Sequence, residues 1–196
     1  MRLLIVLWLV WCSLHSLLIT TTVSRWFAGR GGAWQALYRL GYVLFSLVTL
    51  LALLGYAASL EHRPIGVSPW FLPLQGLLLL YSLVMALGGL RVYDGRSFVG
   101  IRQWQQYRAG QPGEAPAFSC TGILHYVRHP WYSGGLALLW GLPGLTDLSL
   151  VTRIILSCYL VVGTLLEEHK LKNTLGQPYQ DYCRTVPMLL PWRLGR

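Results

Sequence analysis

Apolar residues run along the chain without a polar face over three long stretches, residues 3–23, 40–59 and 69–90. A helix rises 1.5 Å per residue, so about 20 such residues cross a 30 Å hydrocarbon core, and each stretch predicts a membrane span. Two further apolar runs, 133–145 and 148–166, flank Thr146 and Asp147. The first is roughly 20 Å long as helix. The pair predicts a helical hairpin with a short or tilted first arm and its turn near the far interface. The expected architecture is an all-α polytopic membrane helix bundle, one domain over 1–196 with about five spans. The first run exceeds a signal-peptide core and lacks a small-residue cleavage site before Arg25, so it is expected to remain on the mature protein. No internal repeat is visible, which argues against a repeat-built transporter.

Composition agrees with a bilayer. Hydrophobic residues make up 54% of the chain and charged ones 12%, with a mean hydropathy of +0.48, whereas soluble domains carry about 25% charged residues. Disorder, collagen-like structure and a disulfide scaffold are excluded. Cys12, Cys120, Cys158 and Cys183 form no C-x-x-C pair, so neither a zinc knuckle nor a redox motif is supported, and no metal is expected.

The formal charge of +9 reports topology rather than nucleic acid. Thirteen of the sixteen Lys and Arg residues fall on one side of the five expected spans, and Arg2, Arg63 and Arg153 fall on the other. The basic side faces the cytosol, which puts the N-terminus outside and the C-terminal tail inside. Trp26, Trp34, Trp70, Trp131 and Trp192 lie near expected span ends, where an indole prefers the headgroup layer.

The outer connections are short, while two long aromatic-rich cytosolic segments, 91–132 and 167–196, stand out as the place to look for function. The first passes a flexible stretch at 110–117 and then reads T-G-I-L-H-Y-V-R-H-P-W-Y-S-G-G into the fourth span. Pro130 disfavours helix at His129, so Arg128 and His129 are expected in extended or turn geometry ahead of a helix. Two readings stand there: free N–H groups beside the Arg128 fork make an anion site, or the residues are an interfacial anchor. A metal bound by His125 and His129 is the weaker alternative, since Pro130 distorts the spacing and no carboxylate is near.

Glu167 and Glu168 close the fifth span at the negative end of its dipole. Lys170, Lys172 or Arg184 neutralise them in one reading; in the other, at least one binds a cationic ligand group. Gly176 and Pro178 then stop the helix, and 187–192 is expected to lie back along the interface. His15 is the ionisable residue deep in the first span, with Trp8, Cys12, Ile19, Thr20 and Ser16 as a partly polar stripe facing the bundle. It is either a satisfied buried histidine or a chemical group. Gly88, Gly89, Gly134 and Gly135 permit close helix contacts, within the bundle or between copies; no oligomeric state follows.

R-H-P-x-Y at 128–132, then the glutamate pair, then Gly176, Tyr179 and Tyr182 as G-x-x-Y-x-x-Y resemble the integral-membrane methyltransferases, including the isoprenylcysteine carboxyl methyltransferases and phospholipid N-methyltransferases. H-S-L-L at 15–18, F-V-G-I-R-Q at 98–103 and V-P-M-L-L-P at 186–191 look closer to the NnrU-like and methanethiol S-methyltransferase branch. The resemblance implies S-adenosylmethionine bound on the cytosolic side. Mapped onto this chain, one or both of Glu167 and Glu168 hold its α-ammonium. Arg128 and the turn through Gly122, Tyr126, His129, Pro130 and Tyr132 embrace its carboxylate and adenosine end, with Tyr179 in the same set.

The implied chemistry is in-line displacement at the sulfonium methyl, driven by positioning and exclusion of water. A thiol acceptor needs a base, for which His15 and His129 are the candidates. A small thiol is the first expected acceptor, ahead of a prenylated cysteine carboxylate or a phospholipid amine reaching the site from the bilayer. The expected location is a bacterial inner membrane with the site facing the cytosol. Two other classes remain open: an NADPH-dependent sterol reductase of related fold, and a non-catalytic accessory protein like NnrU.

Overall fold

The computed structural model describes residues 1–111 and 119–192, and the described chain is all-helical. In order come α1 (Arg2–Ile19), α2 (Thr21–Ala28), α3 (Gly32–Ser59), α4 (Phe71–Val92), α5 (Gly95–Val99) and α6 (Ile101–Arg108). A 3₁₀ turn at Gly122–His125 follows, then α7 (Pro130–Gly141), α8 (Asp147–Leu175) and α9 (Gln177–Thr185). Among the described residues α1, α3, α4 and α8 are long and apolar enough to cross a membrane.

These four helices bury the wrong residues for a protein in water. On α1 the inward stripe is Leu4, Trp8 and Cys12, while Leu3, Val6, Leu9, Val10, Leu14 and Leu17 are exposed. On α4 the buried positions are Ser82, Met85 and Gly89, and the large aliphatic side chains point out. Small and polar residues inside with leucine outside is the arrangement lipid favours, because tails solvate leucine as well as a core does. The protein is an integral membrane protein.

The boundaries move where caps act. The first run ends at Ile19, not residue 23, because Thr20 turns extended and its hydroxyl accepts the Val23 N–H to start α2. The second starts at Gly32, eight residues before the expected 40. The run at 133–145 is helical over Pro130–Gly141, 12 residues, about 18 Å and short of the hydrocarbon core. The last run extends to Leu175, so α8 has 29 residues and at about 44 Å its final turns project beyond a bilayer. The segment 91–132 carries α5, α6 and the 3₁₀ turn rather than open loop; most of the stretch expected to be flexible, 112–117, lies outside the described residues, as do Arg193 and Arg196.

Residues cluster into two compact units, 1–62 with 94–111, and 63–93 with 119–192. In the first, α1, α2, α5 and α6 pack on α3. Gly100 links α5 to α6 at φ 93°, and a side chain there would stand 2.6 Å from the Leu40 nitrogen of α3. Arg39 Nε donates to Phe98 O at 2.7 Å beside that contact.

In the second unit α4 packs on α7 at glycine distance. A Cβ on Gly134 would lie 2.9 Å from Met85 Cβ, one on Gly88 2.8 Å from Ile123 Cβ, and one on Gly89 would enter the Trp131 indole. Gly135 faces Leu160 of α8. Contacts inside the unit therefore account for all four glycines.

The turn from α7 to α8 is built rather than loose. Thr146 and Ser149 form a reciprocal cap, the buried Arg153 donates to Leu142 O at 2.9 Å, and the Asp147 carboxylate takes the Arg63 N–H at 3.0 Å. Arg153 thus ties down the carbonyls at the end of α7.

Candidate functional site

Pro130 sets the geometry of the second unit's polar cluster. As the first residue of α7 it needs no N–H partner, and it keeps His129 out of the helix, at φ −123° and ψ 69°. Arg128, in a bend, and His129 then lie outside any helix, beside the C-terminal segment. The Arg128 N–H donates to Pro187 O at 3.0 Å and the His129 N–H to Met188 O at 3.2 Å. Pro187 and Pro191 cannot continue α9 as helix, which frees this backbone to pair. The segment expected along the interface is therefore bound into the protein through residue 189, whose carbonyl takes the Ser133 hydroxyl; Leu190 and Trp192 stay exposed.

The side chains of Arg128 and Glu168 meet as a two-point fork, Nε to Oε1 at 2.7 Å and the second terminal nitrogen to Oε2 at 3.0 Å. Both side chains are buried, at 8% and 5% exposure. The remaining guanidinium nitrogen donates to Cys183 O at 3.1 Å and to Val186 O. His129 Nε2 lies 3.0 Å from Glu168 Oε1, the Tyr179 hydroxyl donates to the same oxygen at 2.9 Å, and the Cys183 thiol approaches Oε2 at 3.4 Å. Lys172, one helical turn on, brings its ammonium to 3.5 Å of Oε2.

A buried carboxylate needs this many partners, because several kcal/mol of lost hydration must be offset by charge and hydrogen bonds together. The same field acts back on its neighbours. Burial disfavours the Arg128 charge, but Glu168 more than restores it, so the guanidinium pKa rises. Burial first and the Glu168 carboxylate second push the Tyr179 phenol far above its ordinary value. Burial likewise raises the Cys183 thiol. Both therefore stay protonated and act as donors.

Glu167 differs from its neighbour. Its side chain is 42% exposed and its Oε2 lies 3.8 Å from His129 Nδ1, so one imidazole is set between the two glutamates. Tyr132 meets the His129 ring edge to face at 5.7 Å and packs on Gly163 of α8. Gly122 starts the 3₁₀ turn at φ 60°, and Tyr126 ends it. Both line a nonpolar cleft with Val84, Leu87, Gly88 and Arg91. The Tyr182 hydroxyl bonds Leu124 O and fastens that turn to α9.

The structure thus gathers Arg128, His129, Pro130, Tyr132, Glu167, Glu168 and Tyr179 at one junction, with Gly122 and Tyr126 on the adjoining cleft. His15 belongs to the first unit. There the Tyr42 hydroxyl meets its Nε2 at 2.7 Å, Ser46 meets Nδ1 at 3.1 Å, and Trp11 stacks on the ring at 5.0 Å. Trp8 and Cys12 share its buried stripe, but Ile19, expected there, is exposed. Sequence reasoning gave no site role to Cys183 or to the carbonyls of 186–189. The V-P-M-L-L-P signal was present, yet backbone acceptors carry no side-chain signature.

Comparison with known proteins identifies the family. Over 190 residues, 93% of this chain and 70% of the relative, the sequence is 30% identical to methanethiol S-methyltransferase 2 of Bradyrhizobium diazoefficiens. The chain belongs to the membrane methyltransferase superfamily, in its methanethiol S-methyltransferase branch. A methanethiol S-methyltransferase of Crocosphaera subtropica is 33% identical over 158 residues, 77% of this chain and 60% of its own length. Nurim of Bos taurus is 26% identical over 172 residues, 83% of this chain and 64% of its own. The chain spans 60% and 54% of the first two methanethiol S-methyltransferases it matches. No family profile and no solved structure matches it.

Proposed function

We propose that the chain is an S-adenosylmethionine-dependent methyltransferase of the bacterial inner membrane, with its site on the cytosolic face and a small thiol, methanethiol first, as acceptor. A lipid-borne carboxylate is the second acceptor class. The reading is carried by the buried cluster of Arg128, His129, Glu168 and Tyr179, in a chain whose relatives bear methanethiol S-methyltransferase names. The proposed topology has five spans, with α7 tilted or partly crossing, the N-terminus outside and the tail in the cytosol.

The donor set fits the cofactor. Its amino-acid end is a zwitterion, and the cluster presents both signs: the half-exposed Glu167 carboxylate for the α-ammonium, with Glu168 behind it, and Lys172 and Arg128 for the carboxylate. Arg128 spends its Nε–H and three further contacts on Glu168, Cys183 and Val186, and a guanidinium has five N–H donors. One remains, so Arg128 chiefly holds Glu168 in place and adds a single contact. The nonpolar cleft at Gly122 and Tyr126 suits the adenosine end.

When bound, S-adenosylmethionine would supply a methyl group activated by its positively charged sulfur, with Glu167, Glu168, Lys172 and Arg128 the residues that would hold its amino-acid end. The protein's part is to align the acceptor behind the methyl and keep water out. A thiol acceptor also loses a proton. An imidazole takes it, either His129, steadied by both glutamates, or His15, held by Tyr42 and Ser46. A carboxylate acceptor needs no base.

The test is calorimetric titration of S-adenosylmethionine into detergent-purified protein, followed by methyl transfer to methanethiol. Micromolar binding is expected for wild type, lost in Arg128→Ala and in at least one of Glu167→Gln and Glu168→Gln. A folded wild type that binds NADPH instead, or neither ligand, ends the methyltransferase reading. Among the base candidates, one of His15→Ala and His129→Ala should slow transfer by about 10²-fold or more; wild-type rates in both would remove the base from the mechanism.

A further inference from the structure

At the end of α4, Tyr93 turns its backbone out of the helix while its N–H still bonds Gly89 O at 2.9 Å. Gly89 is also where the Trp131 indole rests, so closely that any side chain there would enter the ring. Trp131 is held further by its Nε1–H on Ala86 O at 3.3 Å. The Tyr93 and Trp131 rings meet at 4.8 Å between centroids with planes inclined by 57°. Burial first and the negative charge of Glu167 second raise the Tyr93 phenol to about 12, so the phenol is neutral. Two residues before Trp131, His129 brings its Nδ1 to 3.8 Å of Glu167 and meets the Tyr132 ring edge to face.

A sulfonium is a cation with three carbon substituents and no N–H or O–H to donate. Hydrogen-bond acceptors cannot grip it as they grip an ammonium, but aromatic faces attract it electrostatically, as they do quaternary ammonium groups. We propose that Tyr93 at the end of α4 and Trp131 in the first turn of α7, next to His129, are the aromatic wall that holds the cofactor's sulfonium. The inference rests on the methyltransferase reading above and adds residues outside its cofactor set. It also gives the site a way to release product: once the methyl has left, the sulfur is neutral and the attraction is gone.

The discriminating measurement is the ratio of affinities for S-adenosylmethionine and S-adenosylhomocysteine, which differ by the methyl and the charge. Both are titrated into the full-length detergent-purified protein, for wild type, Tyr93→Phe, Tyr93→Leu, and a variant with a trifluorinated phenylalanine at position 93. Fluorination keeps the ring's shape and packing and removes the negative face. Tyr93→Phe should keep the wild-type ratio. Tyr93→Leu and the fluorinated ring should weaken S-adenosylmethionine about tenfold and leave S-adenosylhomocysteine within about twofold. Parallel loss of both ligands in the fluorinated variant, or no change in either, overturns the inference while wild-type binding still supports the methyltransferase reading. Wild type that binds neither ligand overturns the reading itself.

Discussion

Arg128 and Glu168 illustrate how one contact answers for several residues. The pair is buried, bidentate and surrounded by His129, Tyr179 and Cys183, so removing one partner strands a charge where water cannot reach it. Glu168→Leu alone should destabilise the protein by about 3–5 kcal/mol, and so should Arg128→Met. The double variant should recover most of that loss, because a nonpolar pair of similar volume carries no stranded charge. Denaturant unfolding in detergent checks the cycle. A loss in the double variant equal to the sum of the two single losses would mean that the charges are not coupled. Cofactor affinity should stay lost in the double variant, which separates the cluster's structural contribution from its binding one. In the sequence, Arg128 and Glu168 were legible as an anion-binding and a cation-binding group. Their direct pairing was not, since the expected partners of the glutamate pair were Lys170, Lys172 or Arg184, and of these three Lys172 is the one seen at Glu168.

Between elements, glycine decides what can touch. Gly100 combines φ 93° with a backbone approach that leaves no room for Cβ, so the F-V-G-I-R-Q segment uses it to seat α5 and α6 on α3. Gly100→Ala should therefore cost about 2 kcal/mol or more, from a left-handed residue and a displaced helix contact together. Gly95 makes the control: it opens α5 and meets nothing within 4 Å, so Gly95→Ala should leave the thermal midpoint unchanged or slightly raised. A matching shift for both would show that the α3 contact contributes nothing. Helix limits follow the same logic of local detail. The apolar runs were visible, but Thr20 ends the first early because its hydroxyl caps α2, while the last helix continues past the glutamates and stops at Gly176, as the Gly176 and Pro178 signal predicts.

At the scale of the whole molecule, lipid and charge set the arrangement. Four long helices expose leucine and valine and bury serine, glycine and alanine, and the basic residues gather on one side of the expected spans. A fluorescent protein fused after Arg196 should glow in bacterial cells, and alkaline phosphatase fused there should be inactive, as a cytosolic tail requires. The reverse pattern would invert the topology and move the candidate site to the other face.

The sequence by itself determined that the chain lives in a membrane, roughly where it crosses, and which side chains are candidates for chemistry, because hydropathy and residue type are local properties that each segment carries alone. Tertiary structure decided who meets whom. Arg128 and Glu168 are 40 positions apart, Tyr182 and Leu124 58 apart, and the Pro187 and Met188 carbonyls pair with a backbone that Pro130 keeps out of its helix. The same holds for Trp131, laid on Gly89 beside Tyr93. Packing brings such groups together, and a buried charge takes the partner that packing delivers rather than the one nearest in the chain.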